Sequence, residues 1–122
     1  MNRLFFVVAL IGFGCGGDDT ASPREACEDA SRVTCSKLYE CLTESERMAA
    51  MLPATEAECV TSYNTMFDCA SQTAETACDA GETYHADKAS QCVDQIDGLS
   101  CETVRTGDID AAAPACNEVC TM

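Results

Sequence analysis

Cysteines are the residues of this chain whose number and spacing say most about its chemistry, since eleven of them occur among 122 residues. Thiols form disulfides, bind zinc or carry out redox catalysis, and the last two uses favour close pairs such as C-x-x-C. No such pair occurs in the sequence. Ten cysteines after Cys15 are instead widely spread, and their even number predicts about five structural disulfides. They are Cys27, Cys35, Cys41, Cys59, Cys69, Cys78, Cys92, Cys101, Cys116 and Cys120.

Cys15 has different surroundings from the other ten cysteines. It follows the basic residue Arg3 and an apolar run from Leu4 to Phe13. That run is too short for a membrane-spanning helix, which needs about 20 apolar residues, but it suits the core of a secretory leader. Small Gly14 lies directly before the cysteine, and a polar, glycine-rich stretch follows it. This order is typical of a lipoprotein signal peptide, in which the cysteine takes the lipid.

The leader divides the chain into three predicted parts. They are a lipoprotein signal peptide over residues 1–14, the lipidated Cys15 with a flexible tether over residues 15–22, and a disulfide-rich helical domain over residues 23–122. Gly12 occupies the position three before Cys15, where such leaders usually carry leucine. Processing by the ordinary signal peptidase, which would give a freely secreted protein, therefore stays open. In the lipidated form, Gly16 after the cysteine favours delivery to the outer membrane.

Charge narrows the range of partners. The chain carries 21 acidic and 7 basic residues, for a formal net charge of −14. A chain of this sign repels phosphate backbones, so we predict no nucleic-acid partner. The acidic residues are spread along the whole sequence, which is typical of a solvated surface. A surface that binds cations or a basic partner is the alternative.

No catalytic constellation stands out. His85 is the only histidine, and with Tyr84 and Asp87 beside it the imidazole could act as a general base. No nucleophile motif accompanies it, and its position favours the surface or the N-cap of a helix. Asp108 and Asp110 match only a fragment of a calcium-binding loop. We therefore predict no catalytic residue, no metal site and no cofactor.

Helix-start signals organise the first half of the domain. Three pairs have the spacing of a capping box: Ser22 with Glu25, Thr43 with Glu46, and Thr55 with Glu58. They predict one helix from Pro23 to about Leu42 and another from the third box to about Ala70. Residues 43–52 either continue the first helix or form a new one. On the later helix, Tyr63, Met66 and Phe67 are predicted to face the core, with a ligand-binding stripe as the alternative.

The second half continues the helical pattern. Apolar residues at i, i+3, i+4 and i+7 predict a helix from about Asp87 to Leu99. A short turn or helix follows at Cys101, and residues 107–113 are predicted to form a loop. Pro114 is predicted to start a last helix with Cys116 and Cys120 on one face. No stretch has the alternation of a strand. The predicted fold is all-α, with four or five short helices cross-linked by about five disulfides, mostly between helices.

Two segments of the chain resemble a known group of proteins. Residues 4–19, which run Leu-Phe-Phe-Val-Val-Ala-Leu-Ile-Gly-Phe-Gly-Cys-Gly-Gly-Asp-Asp, are similar to the leaders of small cysteine-rich lipoproteins from myxobacteria and related bacteria. Residues 84–93 with Cys101, and the later Pro114-Ala115-Cys116, resemble their helical, cysteine-rich segments. The resemblance implies an extracytoplasmic location and carries no established activity.

The function predicted from these observations is non-enzymatic. We expect a membrane-tethered domain of the cell envelope that binds another molecule or serves structurally. Its predicted partners are the bacterial membrane, through the lipid anchor, and an envelope protein or other extracellular ligand. Two other classes remain as alternatives: a small secreted enzyme or inhibitor, and a metal-binding module.

Overall fold

A computed structural model describes residues 22–122, and the predicted leader, the predicted lipidation site Cys15 and most of the predicted tether lie outside them. The helices are α1 (Pro23–Cys41), α2 (Glu44–Ala49), α3 (Glu56–Met66), α4 (Ala86–Asp97), α5 (Cys101–Thr106) and α6 (Ile109–Ala112). Short 3₁₀ turns occupy Cys69–Ser71 and Pro114–Glu118, and two-residue strands occupy Thr83–Tyr84 (β1) and Cys120–Thr121 (β2). The predicted class, short helices cross-linked by five disulfides, is confirmed.

Local capping bonds determine where the first three helices begin. In each box the hydroxyl oxygen of the capping residue accepts a hydrogen bond from the backbone N–H three residues later, at 3.2 Å in all three cases. The glutamate at that later position bonds back to the capping N–H. Because Thr43 starts a new helix, residues 43–52 do not continue α1.

The end of α3 differs from the sequence prediction. The helix stops at Met66 rather than near Ala70, because Asp68 adopts a left-handed backbone with φ of 50° and turns the chain into the first 3₁₀ segment. This turn brings Cys69 into the core, where it is 1% exposed. Met66 and Phe67 remain 68% and 54% exposed, so the prediction that they face the core is wrong.

The C-terminal segment also departs from the predicted helices. Residues 107–113 contain the one-turn helix α6 rather than only a loop. The segment from Pro114 is a 3₁₀ turn, and Cys120 lies in strand β2, so Cys116 and Cys120 do not share a helical face. Strand β2 pairs antiparallel with β1, with Tyr84 opposite Cys120. The disulfide between Cys78 and Cys120 joins the segment before β1 to strand β2 itself.

Cystine makes up the centre of the core. Cys35, Cys59 and Cys69 are the largest side chains that are fully buried among residues 22–122. The other buried apolar positions are mostly alanine. A core of such small side chains buries little apolar area, and disulfides supply stability that packing does not.

The disulfides divide the domain into two halves. In the N-terminal half, Cys27–Cys69 encloses Cys35–Cys59, with sequence separations of 42 and 24. In the C-terminal half, Cys78–Cys120 encloses Cys92–Cys116, again with separations of 42 and 24. Among the five disulfides, only Cys41–Cys101 joins one half to the other. The two halves also meet where α1 packs against α4.

Candidate binding cavity

A half-enclosed cavity of about 530 Å³ lies where the two halves meet. Helix α1 contributes Pro23, Ala26 and Ala30, and α4 contributes Ala89, Val93 and Ile96. Tyr63 and Phe67 at the end of α3, Ile109 of α6, and Tyr84 with Val119 complete the main apolar walls. The cavity therefore depends on both disulfide-linked halves and exists only when they are docked.

The cavity follows from the small side chains on the facing helices. Where two helices pack, side chains from each normally fill the space between them to the density of an organic crystal. Ala26 and Ala30 on α1 and Ala89 on α4 are too short to do so. The Cys27–Cys69 and Cys92–Cys116 bridges, whose Cys27, Cys92 and Cys116 also line the cavity, oppose collapse of the walls.

Two polar side chains of the walls, Ser31 and Gln72, form hydrogen bonds inside the protein. The buried Ser31 hydroxyl donates to the carbonyl of Cys27 at 3.0 Å, and the Gln72 side-chain amide donates to the carbonyl of Phe67 at 3.0 Å. Neither group needs a ligand. The lining thus presents an apolar surface with few free polar atoms, as small-molecule sites usually do.

Tyr84 is the lining residue whose polar atom, the hydroxyl oxygen, is both buried and without a partner among residues 22–122. Burial raises the pKa of this phenol above its ordinary value, because the low-dielectric surroundings disfavour the phenolate. A buried hydroxyl without a partner costs free energy, so Tyr84 is held here by the β1–β2 ladder and the surrounding packing rather than by its own polar atom.

Replacing Tyr84 by phenylalanine is therefore expected to raise the free energy of unfolding, by about 1 kcal/mol, because the change removes an unsatisfied donor and keeps the ring. The raised pKa of Tyr84 also makes the free energy of unfolding depend on pH. The pKa of Tyr84 is higher in the folded protein than in the unfolded chain. The stability from the neutral phenol is therefore fully present at pH values below the unfolded-state pKa, and it is lost as pH rises through the folded-state pKa. Urea unfolding at neutral and alkaline pH measures both effects. A Y84F protein less stable than the wild type at neutral pH would show that the hydroxyl has a partner.

The aromatic residues at the end of α3 border the opening. The rings of Tyr63 and Phe67 stack with their centroids 5.8 Å apart, and both line the cavity. Met66 does not line it. Tyr63 and Phe67 thus lie where a ligand-binding stripe would place them, and binding by them stays a prediction. The core prediction fails for Met66 and Phe67 because the Asp68 turn ends the helix early.

His85 occupies the N-cap of α4, one of the two positions predicted for it. Its backbone N–H donates to the carbonyl of Val119 at 2.8 Å, and its Nε2 lies 2.7 Å from the hydroxyl of Thr121. A histidine beside a hydroxyl is one part of a nucleophile–base pair. The structure brings no carboxylate of residues 22–122 into hydrogen-bond contact with the other ring nitrogen, so the contact links α4 to β2 rather than forming a triad.

Residues of the types that bind metals lie at two separate places. Asp108 and Asp110 are exposed on either side of Ile109 and do not join a cluster of three possible ligands. Within residues 22–122, such a cluster is formed by Cys78, Glu82 and Cys120, whose ligand atoms lie within 4.8 Å of one another. The two sulfurs are bonded to each other, which removes the thiolates that a metal would need.

Comparison with protein-family models, with curated proteins and with solved structures finds no match for this chain. Location is therefore argued from the chain itself. Five disulfides are consistent with a protein outside the cytoplasm, because reducing conditions inside cells keep thiols free. Within residues 22–122, no helix has the length and apolarity to cross a bilayer.

Only part of this site could be found from the sequence. Ala26, Ala30 and Ala89 have the sequence pattern of ordinary helix formers, and nothing in a linear pattern shows that they line one cavity. The signal that could have been used is the scarcity of large apolar side chains in a domain with many disulfides. A phenylalanine count of four, with three of them before Cys15, leaves few large side chains to fill the space between helices.

Proposed function

We propose that this chain is a non-enzymatic extracytoplasmic binding domain, tethered to the outer membrane, that holds a small apolar molecule between its two halves. The cavity carries this proposal. Its volume of about 530 Å³ lies within the range of about 300–1,000 Å³ that is usual for small-molecule sites. Its apolar walls match such sites as well.

The disulfides suit a binding role because they hold the walls in place before a ligand arrives. Ordering side chains and loops during association lowers affinity, and a rigid site avoids that cost. Cys27, Cys92 and Cys116 are both bridge residues and wall residues, so two of the five disulfides shape the cavity directly. This arrangement favours a preformed binding site over a purely structural protein.

The tether would hold the cavity near the membrane. Cys15 lies seven positions before Ser22, and an extended chain of this length spans at most about 25 Å. Pro23, the next residue, lines the cavity. A lipid on Cys15 would therefore keep the binding site within reach of molecules that partition into the bilayer.

The tether is tested by the intact mass of the protein purified from its native membrane, with and without reduction and alkylation. We expect a mass equal to residues 15–122 plus a lipid, with five disulfides. A mass without lipid would show that the protein is freely secreted. Free thiols together with bound zinc would favour a metal-binding module.

The cavity is tested with N-phenyl-1-naphthylamine, a neutral apolar fluorophore that brightens in apolar surroundings. We expect saturable binding with one molecule per chain. The same chain, reduced and alkylated, is the control, and it should give no saturable signal because the two halves lose their cross-links. Equal signals from the oxidised and reduced chains would overturn the proposal.

A further inference from the structure

We infer that the ligand of this cavity is a neutral, largely apolar carbonyl compound, whose oxygen accepts a hydrogen bond from the hydroxyl of Tyr84. This inference rests on the proposed function and names the chemical class of the ligand. It comes from one buried hydroxyl in the wall and from the uncharged side chains that form the rest of the cavity.

The Tyr84 hydroxyl is one of two buried side-chain polar atoms in residues 22–122 that lack a hydrogen-bond partner. The other is Oδ1 of Asn64, a residue that does not line the cavity. Buried polar groups of folded proteins nearly always have a partner, so each exception requires an explanation. A partner carried by a ligand explains why a tyrosine, and not a phenylalanine, occupies this place in the wall.

The backbone holds Tyr84 at the cavity before a ligand arrives. Tyr84 lies opposite Cys120 in the β1–β2 ladder, and the backbone N–H of the next residue, His85, donates to the carbonyl of Val119 at 2.8 Å. The hydroxyl itself is shielded from solvent, so the ring must rotate about its side-chain torsions to meet a ligand. Because only the side chain moves, the cost of ordering the backbone during binding is avoided.

The phenol is a hydrogen-bond donor towards this ligand. Burial raises the pKa of Tyr84, so the hydroxyl keeps its proton at neutral pH. The Ser31 hydroxyl and the Gln72 amide, which also line the cavity, already donate to backbone carbonyls. A carbonyl oxygen accepts a hydrogen bond and adds no donor that would need a partner of its own. It therefore satisfies Tyr84 without leaving a new polar group unpaired.

The walls favour a neutral ligand over a charged one. None of the residues that line the cavity, all of them within residues 22–122, has a charged side chain. A charged group in these surroundings would lose its hydration without gaining an ion pair, which is costly. The formal net charge of −14 also repels carboxylates and phosphates at long range. A neutral carbonyl compound avoids both effects.

The first test compares three compounds that share two phenyl rings on one carbon: benzophenone, diphenylmethane and diphenylacetate. Each is titrated against the bound naphthylamine fluorophore, on the wild type and on Tyr84→Phe. We expect the substitution to weaken benzophenone about fivefold to tenfold, which is the effect of losing one hydrogen bond. Diphenylmethane should bind equally to both proteins. Because each compound is compared with itself, differences in hydration between the compounds cancel. Diphenylacetate should bind the wild type most weakly.

The matched control is Tyr63→Phe. Tyr63 lines the same cavity, but its hydroxyl is not among the buried atoms without a partner. This variant also loses one phenolic oxygen from the wall, and it should bind benzophenone as the wild type does.

A second measurement follows the hydrogen bond directly. The infrared stretch of the bound benzophenone carbonyl is separated from the amide bands by isotope labelling of the carbonyl carbon. On the wild type this stretch should lie at lower frequency than on Tyr84→Phe, because a hydrogen bond weakens the carbonyl bond. A change in cavity shape alone would not move it. Tyr84→Phe should also be more stable than the wild type while binding benzophenone more weakly, and general damage to the fold cannot produce that combination.

The outcomes separate this inference from the proposed function. Equal affinity of benzophenone for the wild type and Tyr84→Phe, or equal weakening of benzophenone and diphenylmethane, would overturn the hydrogen bond and leave the cavity as a binding site. Weakening by Tyr63→Phe alone would overturn the role of Tyr84. Tightest binding by diphenylacetate would overturn the neutral class. Failure of the fluorophore and of all three compounds to bind would overturn the proposed function itself.

Discussion

Replacing Cys41 and Cys101 together by alanine is expected to lower the free energy of unfolding by about 4 kcal/mol, because this bridge closes the longest loop, with a sequence separation of 60. A domain of this size is typically stable by only about 5–15 kcal/mol. The variant should therefore lose a large part of the stability of the domain. Urea unfolding followed by far-ultraviolet circular dichroism measures the loss.

The position of this bridge adds to the effect of its length. Cys41–Cys101 joins the two halves at the point where Arg105 of α5 donates a hydrogen bond to the carbonyl of Cys41. Arg105 also contacts Glu46 of α2 at 3.6 Å. Without the bridge, these polar contacts and the packing of α1 on α4 must hold the halves together. Since the cavity lies between the halves, binding of the fluorophore should weaken as well.

The matched control is Cys92→Ala with Cys116→Ala, which removes a bridge inside the C-terminal half. Its separation is 24, so the expected loss is smaller by about 1 kcal/mol. Both variants lose two sulfur atoms and keep four disulfides. A control that is as destabilised as the Cys41–Cys101 variant would show that joining the halves is not what makes this bridge important.

Filling the cavity is the second change with a large expected effect. Val93 of α4 is half-buried and lines the cavity, so Val93→Trp places an indole where the ligand is proposed to lie. We expect affinity for the naphthylamine fluorophore to fall by at least tenfold, which corresponds to about 1.4 kcal/mol or more. Stability should change little, because the new ring enters open space instead of a filled core.

The matched control is Val60→Trp on α3, a half-buried valine that does not line the cavity. It adds the same side chain and should leave fluorophore binding unchanged. Ala30→Trp approaches the cavity from α1 and gives an independent test if the first variant folds poorly. Unchanged binding in both cavity variants, with normal circular dichroism, would place the fluorophore elsewhere on the protein.

The starts of the helices could be predicted from the sequence because they depend on neighbours three residues apart. The hydroxyls of Ser22, Thr43 and Thr55 each bond the backbone N–H of the residue three positions on, as the spacing predicts. The end of α3 could not be predicted in the same way. Asp68 turns into a left-handed conformation that places Cys69 beside Cys27, and that partner lies 42 residues away in sequence.

The sequence by itself determined that this is a helical domain with an even set of ten cysteines after Cys15. Helix capping depends only on residues close together in the chain, and the cysteines can be counted directly. Only the tertiary structure decided which cysteines pair, since pairing depends on which helix faces which. It also decided that short alanine faces on α1 and α4 enclose a cavity instead of a filled core. Its wall residues range from Pro23 to Val119, and only packing between distant segments brings them together.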